Sequence, residues 1–254
     1  MALFTDGPVS GIEDLAAQDS QLLEVANIEA IDVTRKLALA QDELGVELSM
    51  LLARLSFVDQ PFWLSPKPNL GSVVVTPPLK LWHTYRALEM VYKDAYNSQL
   101  NDRYAGKRDQ FRLMAQWASE KLIQIGIGVA PKPVPQAATP EVLPIPGALP
   151  DGTYYVTVAW VNDAGEEGAS AVPAVVTIAG STLEVRPGAP LGCAVGWSVY
   201  IGGAPESMVQ QNGSPIGTGQ TWQQPEALAT AGRAPSAGQE PTYLKPIPRV
   251  IQRG

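Results

Sequence analysis

The sequence predicts an α + β multidomain protein, with an all-α N-terminal part (a long helix plus an antiparallel helix pair) and a C-terminal antiparallel β-sandwich. Three observations predict it. Apolar residues recur at helical spacing up to about Gly128, and at every second position from Thr153 onward. Between these regimes lies the proline-rich run VAPKPVPQAATPEVLPIPGAL, residues 129–149. A chain of 254 residues is also long enough for two modest domains, each with its own core.

Taken in order, Ser10 and Glu13 have the spacing of a capping box and predict a helix opening at Gly11 and Ile12. From Ser20 to Leu55 the set Leu22, Val25, Ile28 or Glu29, Leu37, Ala40, Leu44, Leu48, Leu51 and Leu55 keeps helical spacing, with a phase change near Ile31 to Thr34. Either one long helix or two joined by a kink satisfies that pattern. Pro61, Pro66, Pro68 and Pro77 then interrupt any regular helix, and SVVVT at Ser72 to Thr76 has the composition of a short strand. Pro78 suits the first position of a second helix, with a stripe Leu81, Tyr85, Leu88, Tyr92, Ala95 and Leu100 and an end near Gly106. A third helix carries Phe111, Met114, Ala118, Leu122 and Ile125 and stops at Gly126 and Gly128.

Residues 1–128 therefore form the expected helical domain, and 129–149 an extended, semi-rigid linker. Residues 150–233 form the expected sandwich. TYYVTVAW alternates and runs into turn residues Asn162, Asp163, Ala164 and Gly165, and similar runs recur at AVVTIAG, STLEVRP, GWSVYIGG and GQTWQQ. Short strands separated by Gly and Pro fit an immunoglobulin or fibronectin type of sandwich, without the antibody disulfide because Cys193 has no second cysteine. Residues 234–254 read as an extended C-terminal segment.

A net charge of -7 argues against a protein whose main task is gripping nucleic acid, since that affinity comes from Lys and Arg on phosphates. The N-terminus lacks a signal-peptide pattern, and no apolar run approaches the roughly 20 residues that span a bilayer, so the expectation is a soluble chain, or one assembled into something soluble. No cofactor, metal or enzymatic activity is expected. The single histidine, His83, reads as structural or exposed, because zinc would need partners the chain lacks. GIGVAP at Gly126 to Pro131 lacks the third glycine of a dinucleotide loop, no Walker lysine occurs, and Ser198 sits in a strand pattern rather than a nucleophile elbow. Asp163, Glu166 and Glu167 fit either a solvated turn or a calcium site, with the turn preferred. Basic residues Arg103, Lys107, Arg108 and Arg112 interleave with Tyr104 and Phe111; pairing with Asp102, Asp109 or an acidic surface of another subunit is preferred over nucleic-acid contact.

The helical segment around AYNSQLNDRYAGKRDQF, the proline-rich run and the module TYYVTVAWVNDAGEEG together resemble structural proteins of tailed bacteriophages. The N-terminal part resembles head-to-tail adaptors, and the second is similar to modules appended to phage structural proteins. The resemblance implies a homo-oligomeric ring, usually dodecameric, beneath the portal protein, contacting a downstream neck or tail protein and passing DNA without sequence-specific binding. It implies a place in the virion neck, reached by assembly in the host cytoplasm, with no membrane partner. Tyr96, Arg103, Tyr104, Lys107, Arg108, Phe111 and Arg112 would then meet a neighbouring protomer or the portal, and the acidic N-terminal helices would line the channel. The tail residues Tyr243, Leu244, Lys245, Ile247, Arg249, Val250 and Ile251 would dock on an adjacent protein as an added strand. The alternative is a tail or decoration protein whose sandwich binds host-surface glycans through exposed aromatics such as Tyr200 and Trp222.

Overall fold

The structure is a computed structural model that describes residues 1–55, 67–99, 102–225 and 227–245. Its packing defines a helical unit, Gly7–Pro131 joined by the segment from Pro241, and a β unit, Met1–Asp6 joined by Lys132–Glu240. The predicted α + β class holds, with helices in the N-terminal half and antiparallel sheets in the C-terminal half.

In the helical unit, α1 (Ile12–Gln18) and α2 (Leu22–Ile28) precede α3 (Val33–Leu55), α4 (Pro77–Gln99) and α5 (Ala105–Ile125). The phase change is a true break. Ala30 takes a left-handed φ of 53°, Ile31 N–H donates to the Ala26 carbonyl at 2.8 Å, and Asp32 Oδ1 caps α3 by accepting from Arg35 N–H at 3.0 Å. The kinked alternative is the observed one. The cap expected at Ser10 lies one residue later: Gly11 N–H donates to Asp14 Oδ2 at 2.9 Å, because the Ser10 hydroxyl is committed to His83 in the interior.

α4 packs against both α3 and α5 and buries Leu79, Trp82, Ala87, Leu88, Val91 and Ala95, while Lys80, Lys93 and Asn97 stay exposed. It is the central helix of its layer. It opens at Pro77, one residue before the expected start, and the bend after it is not at Gly106. A 3-10 turn at Asp102–Tyr104 precedes α5, which places Gly106 inside the first turn of that helix. α5 does end at Gly126, whose φ of 111° is open to glycine, and β1 (Ile127–Val129) follows.

The β unit holds β2 (Glu141–Pro146), β3 (Gly152–Val161), β4 (Ala174–Ile178), β5 (Ser181–Arg186), β6 (Gly196–Gly202), β7 (Val209–Gln210), β8 (Ile216–Gly217) and β9 (Trp222–Gln223). One sheet runs β2-β5-β9; the other runs β4-β3-β6-β7, with β8 also on β6. Val156, Val158 and Trp197 of one sheet and Leu183 and Val185 of the other share a single core, which makes a sandwich. The predicted strand runs all fall on strands. The expected linker differs: all six residues of β2 pair with β5, and Val134, Ala137 and Leu149 enter the core. Pro144 and Pro146 are compatible with this because β2 is an edge strand. The N-terminus also belongs here, where Gln136 N–H donates to Asp6 Oδ1 at 2.8 Å and the Met1 amine to the Gln239 carbonyl at 3.1 Å.

After Glu240 the chain rejoins the helical unit as β10 (Thr242–Leu244), antiparallel to β1 in the register Ile127↔Leu244 and Val129↔Thr242. Val73 bridges Val129 as well, so the SVVVT segment pairs with β1 through bridging residues rather than as a full strand.

Candidate assembly surface of the helical unit

The residues expected at the bend separate into an interior cluster and an outer fringe. Asp19, at the end of α1, is buried and accepts from the Tyr92 hydroxyl at 2.5 Å, from Lys107 Nζ at 2.6 Å and from Gln21 N–H at 3.1 Å. Burial alone would raise its pKa, but the bonds from Lys107, Tyr92 and Gln21 outweigh burial and hold it below the ordinary carboxylate value. Burial and the bond to Asp19 push the Tyr92 phenol up. Phe111 stacks on Tyr92 with centroids 5.6 Å apart, and the buried Tyr104 donates to Glu29 Oε1 at 3.0 Å.

Tyr104 and Phe111 are therefore corrected from an outward contact surface to an internal lock, which the partly exposed Lys107 closes from outside. Their aromatic area is used in tying α4, α5 and the α1 end together, and the Lys107 charge is matched within the chain. Tyr96 is half-buried under the Arg108 guanidinium, 4.6 Å from its ring centroid, and Arg108 and Arg112 both reach Asp109, at 3.0 and 3.6 Å. That is the expected pairing with acidic neighbours. Arg103 and Arg112 remain exposed. Of the tail, Tyr243 and Leu244 lie in β10 and add to β1 of their own chain, with Lys245 just beyond; Ile247, Arg249, Val250 and Ile251 lie outside the described residues. Leu55 and Leu100 carry no described side chain either.

His83 is fully buried in α4. Its Nε2–H donates to the Leu37 carbonyl at 3.0 Å, so Nδ1 accepts the Ser10 hydroxyl proton at 2.6 Å. It is a neutral structural bridge among α4, α3 and the chain before α1, and burial pushes its pKa down against the pull of the Leu37 carbonyl.

What the sequence reading missed lies on the opposite helix faces. Val46 and Met50 of α3 and Leu113 and Trp117 of α5 are exposed by 63, 53, 61 and 49 %. The signal was present: Val46 and Met50 are two residues out of phase with the buried Leu44 and Leu48, and a second apolar period on one helix marks a second face. Between α3 and α5, over α4, runs a groove of about 570 Å³ whose lining includes Glu47, Trp82, Arg86, Glu89, Arg112 and Ser119. Arg86 is held there by Glu43 at 2.6 Å and Glu89 at 2.5 Å, so the groove floor is charge-matched.

In the β unit, Tyr200 is buried and donates to the buried Glu167 at 2.6 Å, and Arg233 closes the same carboxylate. Trp222 is partly buried against the core. These two aromatics thus form no exposed platform for sugars. The suspected calcium cluster also diverges: Asp163 pairs with Lys132 at 2.6 Å, Glu166 accepts from Asn162 at 2.7 Å and Gln239 at 3.0 Å, and Glu167 faces Tyr200. No group of three or more His, Cys, Asp or Glu side chains among the described residues is placed to hold a metal ion. No helix among the described residues is long and apolar enough to cross a membrane. Comparison with family models, curated proteins and solved structures finds no match to this chain.

Proposed function

We propose that this chain is a structural, non-enzymatic virion protein of a tailed bacteriophage, a head-to-tail connector that forms a ring under the portal, joins capsid to tail and extends the DNA channel. The observation that carries the reading is the pair of exposed apolar faces on α3 and α5, two helices that flank the central α4. Apolar faces on two separate helices of one unit suit a heterologous contact, and a heterologous contact whose rotation closes builds a ring. Most of the bend residues act inside the subunit, stiffening it. Arg103 and Arg112 are the exposed basic residues of the bend. The acidic balance of the chain suits a channel wall that does not retain DNA. The β unit, with its own core, serves as a separate module.

Electron microscopy of lysates from a phage carrying a nonsense mutation in this gene tests the reading. Separated heads and tails are expected. Complete particles that fail only to adsorb would contradict it and move the function to the sandwich.

A further inference from the structure

We infer that copies of this chain join head to tail through two helix rows: Asp42, Val46, Met50 and Arg54 on α3 of one copy against Asp109, Leu113, Trp117 and Lys121 on α5 of the next. Residues four apart stack along one helix face. Each row reads acid, apolar, apolar, base in chain order, and the four apolar members are all about half or more exposed.

The charges decide how such rows pack. The apolar pairs can be matched in either direction, because both have a spacing of four. Packed parallel, Asp42 meets Asp109 and Arg54 meets Lys121, two like-charge contacts. Packed antiparallel, Val46 meets Trp117, Met50 meets Leu113, Asp42 meets Lys121 and Arg54 meets Asp109, so an acid stands opposite a base at each end. Ridges built of residues four apart interdigitate readily, and opposed like charges exclude the wrong register.

Each row is also complementary to itself when antiparallel. Self-pairing, however, needs two different contacts to cover both rows, whereas one α3–α5 contact covers both in every copy of a closed ring. The ring rests on the connector reading; the contact itself is a property of the purified chain. Asp109 already pairs with Arg108 and Arg112, one carboxylate against two guanidiniums, so the charge selection is carried by the Asp42–Lys121 end.

Sedimentation of the full-length chain up to its highest soluble concentration tests this. The wild type is expected to self-associate, and W117D, at an exposed position, to weaken association at least about 100-fold. D42K and K121D should each weaken it about three- to tenfold, and the double variant D42K/K121D should restore it. A wild type that stays monomeric throughout, or a double variant weaker than either single, overturns the inference. Rescue by D42K/R54D instead would assign α3–α3 pairing and overturn it equally. Complete phage particles without the protein would sink the connector reading while leaving this contact standing.

Discussion

The Tyr92 hydroxyl donates to Asp19 Oδ2 at 2.5 Å, which fastens the middle of α4 to the end of α1, and Lys107 reaches the same oxygen from α5 at 2.6 Å. A buried carboxylate with three donors is stable only while the donors remain. Asp19→Ala, which leaves the tyrosine without its acceptor, should cost about 2–4 kcal/mol, and Tyr92→Phe about 1–2 kcal/mol. Urea melts of the three proteins check the order; a Tyr92→Phe variant as stable as wild type would remove the lock.

The β unit repeats the device with Tyr200, Glu167 and Arg233. Glu167→Gln keeps the shape but removes the charge, so a loss of about 1–3 kcal/mol is expected, and Tyr200→Phe should lose less when combined with it than alone. A double-mutant cycle with no coupling would contradict a direct bond.

His83 gives the fold a pH dependence with a definite sign. Its folded pKa lies below 6.5 because burial disfavours the charged ring, so the unfolded chain binds the proton more readily. Its contribution is complete above 6.5 and is lost as pH falls below that value toward the folded pKa. Asp19, also lowered, keeps its contribution down to its ordinary 3.8 and loses it below. Denaturation curves should therefore weaken as pH falls below 6.5, and His83→Gln should flatten that step. An unchanged slope in the variant would assign the step to another group.

Two glycines in adjacent structures should respond oppositely. A Cβ at Gly106 meets nothing within 4 Å in the first turn of α5, so Gly106→Ala should stabilise by about 0.5–1 kcal/mol. At Gly126 the same atom would lie 2.9 Å from the Leu244 carbonyl, on a backbone with φ of 111°. Gly126→Ala should destabilise the unit and raise proteolysis at β10. Equal melting temperatures for the two variants would contradict these assignments.

Periodicity made the elements legible because a buried stripe repeats regularly. The α3 stripe from Leu37 to Leu48 gave type and face directly, whereas the alternation of Val156, Val158 and Trp160 gave a strand but suggested one buried face, and Thr157 and Ala159 are buried as well. Long-range partners were not legible. Nothing local tells Ser10 to bond His83 instead of capping α1, or tells VLPIP that β5 waits forty residues on to make it a strand. The bend misled for a related reason: aromatic and basic residues are shared by interfaces and by interior locks, and only burial separates Tyr104 and Phe111 from Leu113 and Trp117.

Cys193 is the single cysteine of the chain and is exposed, which gives the connector reading its most direct test. Maleimide-gold applied to intact phage particles, with Cys193→Ser particles as the reference, locates the protein by electron microscopy. Gold at the junction of head and tail, absent from the reference, is the expected result. Gold of the same specificity on the capsid surface or at the tail tip would contradict it.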